Sequence, residues 1–253
     1  MRQAIVIAAV LAGLSASAPA IAADMPFKAA PAIVAPTWTG LYVGADIGGV
    51  WTHTEGTWNP LPSAALFGAD TITAAIDTSS ISGGLHAGFN YQLGPSVVAG
   101  IEGDWTWTNA SASFTRPWTS FGVLPGTFTT MGTKLDWLAS VRGRLGYLVT
   151  PDVLAYVTGG GAWGGVDYAA SNSNSLFYAT AVAFSSTPSG YVVGGGLEWR
   201  MSGNWLLRGE YLFYRLSGAS AVGTSVASPS FPSGYAWSDM DVNQGRIGVS
   251  YKF

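Results

Sequence analysis

The chain has 253 residues, of which 48% are hydrophobic and only 10% charged, with no cysteine, two histidines and a formal charge of −3. A soluble domain carries about a quarter charged residues, so little of this chain is built to face water. The weak negative charge does not suit a nucleic-acid binder. The missing cysteines exclude a disulfide scaffold and, with so few histidines, a closed zinc set.

The first 23 residues read as an export signal: Arg2 is the positive end, residues 4–14 are apolar, and residues 18–23 are small, with cleavage expected after Ala22 or Ala23. Removing it leaves a formal charge of −4, since 10 bases then face 14 acids. Beyond it no apolar run approaches the roughly 18 residues that a membrane helix needs. Residues 24–37 hold Pro26, Pro31 and Pro36, which deny backbone donors and favour an extended chain, so a periplasmic linker, with a plug peptide as the alternative, is expected there. The folded domain then spans 38–253.

Within it, segments alternate with period two. The first strand is expected at 40–51, with Leu41, Val43, Ala45, Ile47 and Trp51 on one face. The second, at 80–93, sets Leu85, Phe89 and Tyr91 against His86, Asn90 and Gln92, and a Gly94-Pro95-Ser96 turn leads to the third at 97–107. The fourth spans 134–148 and turns at Pro151-Asp152. The fifth spans 153–168 and is interrupted by Gly159, Gly160 and Gly161, where a bulge is expected. The sixth (189–201), seventh (205–216) and last (from 238) follow, with a turn at Ser202-Gly203-Asn204. The intervening stretches 52–79, 108–133, 169–188 and 217–237 lack clean periodicity and read as long loops.

Long and short connections alternate through these eight segments, the pattern of a bacterial outer-membrane barrel with short periplasmic turns and longer extracellular loops. The expected fold is therefore all-β: an eight-stranded antiparallel transmembrane up-and-down β-barrel with both chain ends on the periplasmic side. Energetics assigns the faces. One set holds nearly all the strand Trp, Phe, Leu, Ile and Val; the other holds Asp46, Glu102, Asp104, Lys134, Asp136, Arg142, Arg144, Glu198, Arg200, Arg208, Glu210, Arg246 and Lys252. One Arg facing mid-bilayer lipid costs about 2–4 kcal/mol, against a net folding stability of about 5–15 kcal/mol. The charged set must face the lumen. Its six acids and seven bases nearly balance, which predicts paired charges in a packed interior rather than a channel lined by one sign. Outward Trp51, Trp107, Trp137 and Trp163 are expected in an outer aromatic girdle, and Tyr91, Tyr147, Trp199 and Tyr251 in an inner one.

Chemistry finds little purchase. A nucleophilic site needs a base beside its Ser or Cys, and of the two histidines His86 falls on the inward face as a polar-core residue while His53 stands in the first long segment. No catalytic, cofactor or metal site is assigned. Hemin binding would need an exposed His or Tyr ligand, for which His53, Tyr168, Tyr178 and Tyr235 are available. Gly-rich runs lie in strands with no following helix, so they do not form a phosphate cradle.

Several segments are also familiar: W-T-G-L-Y-V-G (38–44), G-I-E-G-D-W (100–105), W-L-A-S-V-R-G-R-L-G-Y (137–147), Glu210-Tyr211 and the final Tyr251-Lys252-Phe253. Over 38–253 the chain resembles the small outer-membrane β-barrel, or porin-family, proteins of alphaproteobacteria of rhizobial type, similar to outer-membrane immunogenic proteins. The resemblance implies an OmpA-like barrel in the cell outer membrane, serving as a non-enzymatic envelope and surface protein, a surface antigen. A narrow porin for small solutes or ions, or a hemin-binding surface receptor, is the alternative. It also implies that Phe253, with Tyr251 on the same outward face, marks the last strand for the barrel assembly machinery. The expected partners are thus outer-membrane lipid and that machinery, with an unknown extracellular ligand at the long loops.

Overall fold

The computed structural model describes residues 37–60, 71–118, 127–174, 178–224 and 232–253; the expected export signal and all but the last residue of the linker lie outside them. Among these described residues eleven antiparallel strands follow in order: β1 (Gly40–Pro60), β2 (Ile72–Gln92), β3 (Val97–Pro117), β4 (Phe128–Thr150), β5 (Val153–Asn174), β6 (Tyr178–Ser186), β7 (Ser189–Arg200), β8 (Trp205–Leu216), β9 (Ala219–Gly223), β10 (Ser233–Trp237) and β11 (Met240–Lys252). Eight of them, β1-β2-β3-β4-β5-β7-β8-β11, form a ring that closes where β11 pairs β1 from Tyr42↔Lys252 to His53↔Asp241. Closure satisfies the backbone of every wall strand and leaves no edge for lipid to meet.

The wall follows the alternation. Leu41, Ile47, Leu85, Ile101, Val141, Leu145, Val157, Leu197 and Ile247 point outward and are exposed, as are Trp51, Trp107 and Trp163 toward one end and Tyr91, Tyr147 and Trp199 toward the other, where Tyr251 is half-buried. Trp137 faces the same way, its ring stacked on Trp105 at 4.4 Å. The girdles expected from the sequence are in place.

The stretches read as long loops are largely strand. β1 runs on to Pro60, β2 begins at Ile72, β3 reaches Pro117, and β6, β9 and β10 occupy much of the last two stretches. Three of the ring's strands bend where the ladder breaks, at Thr187-Pro188, Ser217-Gly218 and Ser238-Asp239. These bends are tied to neighbours by Gly164 N–H donating to Pro188 O (3.1 Å), Ser217 N–H to Ser189 O (3.1 Å) and Ser238 N–H to Glu55 O (2.9 Å).

Beyond the bends the ring divides. The β2–β3 ladder ends at Ser82↔Thr108 although both strands continue, and β6 pairs only β5 while β9 pairs only β10. Two four-stranded sheets result, β9-β10-β1-β2 and β3-β4-β5-β6, facing each other across an apolar core that includes Trp58, Ile76, Met131, Val166, Tyr168 and Trp237. This is a head carried on the long-connection side of the barrel, built as a sandwich. Most of its outward residues are polar or small, such as Thr57, Thr73, Ser113 and Thr115, with Val222 and Phe128 the large apolar side chains exposed among the described ones. The hydrophobic face has therefore changed sides: outward where the wall meets lipid, inward where it meets water.

One bulge reorders the charges. β4–β5 pairing runs Leu135↔Val166 and then Trp137↔Gly165, so Asp136 is an extra residue in β4. An inserted residue shifts the alternation by one. Leu135 is thereby turned into the core, and Lys134 and Asp136 are turned outward, with side chains 42% and 37% exposed and paired to each other at 2.6 Å. Their expected place in the lumen is corrected accordingly. No register shift falls at Gly159–Gly161, where a bulge was expected. The middle glycine is needed for another reason: a Cβ at Gly160 would stand 2.0 Å from Val141 O, beside the Arg142 backbone.

Candidate functional site

The lumen is the most chemically organised region of the chain. β1 delivers Asp46, β3 Glu102 and Asp104, β4 Arg142 and Arg144, β7 Glu198, β8 Arg208 and Glu210, and β11 Arg246, each on the inward phase of its strand. All nine are buried. Glu102 is the hub: Tyr42 OH donates to its Oε2 at 2.7 Å, Arg208 Nη1 donates to the same oxygen at 2.7 Å, and Arg142 and Arg144 also reach its carboxylate. Glu210 accepts from Arg142 (3.1 Å), from Arg246 Nε (2.8 Å) and from Tyr156 OH (3.1 Å). Arg246 Nη1 reaches Asp104 at 3.3 Å, and Arg144 Nη2 donates to Glu198 at 2.7 Å while its guanidinium lies 4.0 Å from the centre of the Tyr156 ring.

Four arginines thus interleave with five carboxylates, and each charge but Glu198, which pairs with Arg144, is compensated by more than one neighbour. Buried ions are tolerable only in such an arrangement, because desolvation of each exceeds what a single partner returns. Tyr156 and the core Tyr214 were missed from sequence, although both lie on the same even-numbered inward phase as Thr158, Glu210 and Leu212.

Apolar layers close the network on both sides. Toward the head lie Val50, Leu138, Val192, Leu212, Tyr214 and Val242, continuous with the head core. Toward the short turns lie Trp38, Val98, Leu154 and Leu206. Trp38 is pinned by its indole donating to Pro151 O (3.2 Å) and its backbone N–H donating to Gln92 Oε1 (3.0 Å). Arg200 sits here, its guanidinium 4.6 Å from the Trp38 ring centre, at the rim and away from the central network. Lys252 is also at this rim, where Nζ donates to Thr37 O and Thr39 O.

His86 is buried as expected, between Asp46 (Nδ1 to Oδ2, 3.0 Å) and Ser250 (Nε2 to Oγ, 2.8 Å). The order carboxylate, imidazole, hydroxyl is that of a hydrolytic triad, but no substrate reaches it: Ser250 is fully buried. A Cβ at Gly44 would lie 2.4 Å from His86 Nε2, so the bare backbone of Gly44 makes room for the ring. The trio instead stitches β1, β2 and β11 across the closing seam. Fluorophosphonate reagents are expected to leave Ser250 unlabelled in the folded protein, and Ser250→Ala to cost about 1 kcal/mol; covalent labelling detected by mass spectrometry would overturn this.

The residues considered for hemin are scattered. His53 faces outward and is held by Asp77 at 2.6 Å, whereas Tyr168 and Tyr235 are buried in the head, Tyr235 OH lying 2.6 Å from Thr180 Oγ1. The Tyr178 side chain lies outside the described residues. Among the described residues no group of three or more His, Cys, Asp or Glu is placed to hold a metal ion.

Comparison with known proteins agrees with this architecture. The chain is 29% identical over 250 residues to the 31 kDa outer-membrane immunogenic protein of Brucella melitensis, covering 98% of this chain and 97% of that protein. It is 30% identical over 224 residues to the 22 kDa outer membrane protein of Rhizobium leguminosarum, covering 88% and 82% respectively. Among solved structures, the outer membrane protease OmpT of Escherichia coli superposes with a TM-score of 0.52 at 9% identity, over 85% of this chain and 97% of that one, which is a likeness of fold alone. The model of the outer membrane protein beta-barrel domain matches residues 6–253. The chain belongs to this outer-membrane β-barrel family, and its place is the cell outer membrane.

Proposed function

We propose that this protein is a sealed, non-enzymatic barrel whose work is structural: it anchors a rigid two-sheet head at the cell surface and passes no solute. The observation that carries this reading is the closure of the lumen at three successive levels, the Trp38 layer, the ion network and the Val50–Leu212 layer. An open channel needs a continuous column of water, whereas an eight-stranded barrel is only wide enough for its own side chains. The names of the Brucella relatives, which call those proteins outer-membrane immunogenic proteins, support exposure of the head as a surface antigen.

Planar-bilayer recording tests the proposal. The unmodified protein is expected to give no discrete conductance, and simultaneous truncation of Trp38, Leu154 and Leu206 to Ala to give none either, because the ion network still blocks the path. Steady current steps from the unmodified chain would establish the narrow-porin alternative instead. For assembly, we propose that the machinery inserting outer-membrane barrels captures β11 through its outward aromatic row before that strand pairs with β1.

A further inference from the structure

The two sheets of the head come apart at the β2–β3 seam. The ladder from β2 to β3 stops at Ser82↔Thr108, while the ladder from β2 to β1 runs on without a shift to Trp58↔Ile72. Above the break the contacts across the seam come from hydroxyls: Thr108 Oγ1 donates to Ile81 O at 3.2 Å, and Thr78 Oγ1 to Ser111 O at 3.1 Å. The first of these fixes the direction of the β2 backbone. In an antiparallel strand the N–H and C=O of one residue face the same neighbour, and the side alternates from residue to residue. With Ile81 O turned to β3, the N–H and C=O of Thr73, Ala75, Asp77 and Ser79 are turned into the seam as well. Among the described residues none of these groups has a backbone partner there, and all four residues are exposed.

Natural sheet edges are blunted by brevity, proline, charge or a covering element. β9 has only five residues, and the β3 edge ends in Arg116-Pro117. β6 is met closely by β9, where a Cβ on Gly223 would stand 3.2 Å from Val182 and 3.3 Å from Thr180. In β2 the stretch Ile72-Thr73-Ala74-Ala75-Ile76 carries no charge, no proline and no register shift. Beside it Ile72, Ala112 and Phe114 are only partly covered, although they pack on the head core.

We infer that this edge is a docking site for an extended segment of another protein, which adds to β2 as a further strand. The two faces of the edge set the chemistry of the occupant. Small apolar side chains alternate toward Ile72 and Phe114, and polar ones face water. Asp77 and Glu55 are both outward here, Glu55 standing opposite Ala75 on β1, so the polar row of the occupant carries a lysine or arginine beside them. A second copy of this chain does not fit. Copies standing in one membrane run β2 in the same direction, and a two-fold pair would set Ala75 level with Ala75, N–H against N–H, which makes no ladder. That the partner is met outside the cell rests on the proposed surface exposure of the head; the pairing itself does not.

The test uses the full chain held in amphipol and the fluorescein-labelled peptide T-V-K-V-T-V-T, followed by fluorescence anisotropy. Saturable one-to-one binding is expected, with the Thr73 and Ala75 amide resonances shifting on addition of the peptide. In the paired strand the threonine and lysine N–H groups face β2 and the valine N–H groups face away. N-methylation of the former should therefore abolish binding, and N-methylation of the valines should leave it. Indistinguishable behaviour of the two methylated peptides would overturn strand addition along β2. Ala75→Pro removes an N–H that β1 does not use, and an edge strand tolerates proline there. This variant should keep the heat-modifiable gel mobility of a folded barrel while its affinity falls roughly tenfold. If it does not fold, Asp77→Lys carries the test, since it should weaken T-V-K-V-T-V-T and favour T-V-E-V-T-V-T. Unchanged affinities in the folded variants would remove the β2 edge from recognition. Concentration-dependent dimers of the unmodified chain that Ala75→Pro dissolves would make a second copy the occupant and overturn the partner proposed. Peptide bound in amphipol but not by intact cells would overturn the exposure of the head and leave the pairing standing.

Discussion

Glu102→Leu is expected to destabilise the barrel by about 3–5 kcal/mol, the effect of removing one member of a buried ionic cluster. Glu102 is the residue on which four arginines converge: Arg142, Arg144 and Arg208 donate to it, and Arg246 stands 3.8 Å away. Its removal leaves those guanidiniums facing one another with only Asp46, Asp104, Glu198 and Glu210 to compensate them. Arg142→Leu and Glu210→Leu should lose comparable amounts. Urea unfolding in phospholipid vesicles, followed by tryptophan fluorescence, measures the change. Combining Glu102→Leu with Arg142→Leu should recover part of the loss, because the pair is then removed together. Unchanged unfolding midpoints in the single variants would mean that water screens the network and the lumen is not packed.

The second large effect concerns insertion. β11 closes the ring onto β1, so until closure it is an unpaired edge, and an unpaired edge is a template for strand addition. Its outward row ends in Tyr251 and Phe253, whose rings meet edge to face at 5.2 Å, with Trp205 packed on Tyr251 at 5.2 Å. Phe253 is 69% exposed and fixed to β1 only by its backbone N–H donating to Leu41 O at 2.9 Å, so its side chain contributes little to the folded barrel. Replacing Phe253 and Tyr251 by Ala is therefore expected to reduce insertion severalfold in cells and to leave unfolded chain in the periplasm. Refolding of the purified chain in detergent should change far less. Equal losses in both assays would reassign the two rings to anchoring at the headgroup level.

The wall was legible because lipid imposes a strict contrast between its two faces. Nine of the inward charges sit where the alternation puts them, and so does His86. The head was not legible, and the reason is physical. Past the bends the outside solvent becomes water, so in T-H-T-E-G-T-W-N the residues Thr52 and Thr54 face inward while His53 and Glu55 face outward, and only Trp58 marks the core side. Both faces of such a strand look polar, and the stretch reads as a loop. The bulge was equally hidden: K-L-D-W alternates as cleanly as any strand, and only its pairing with β5 reveals that Asp136 is extra. Trp38 precedes the first strand, so no period could place it under the network. Ser250 was on the expected inward face, but its meeting with His86 depends on ring closure.

On the proposed exposure of the head at the cell surface, its two-sheet build also changes what a visitor there reads. Thr57 and Thr73 share a hydroxyl contact of 3.0 Å, and Thr115 and Thr130 one of 2.9 Å, although each pair is contributed by different strands. An antibody footprint on either sheet face is consequently a mosaic of distant stretches of chain, present only while the barrel stands. Sera raised against the native protein should fail on boiled samples. The outward hydroxyls bear no part of the core, so this relief can drift from strain to strain while the scaffold beneath it stays the same.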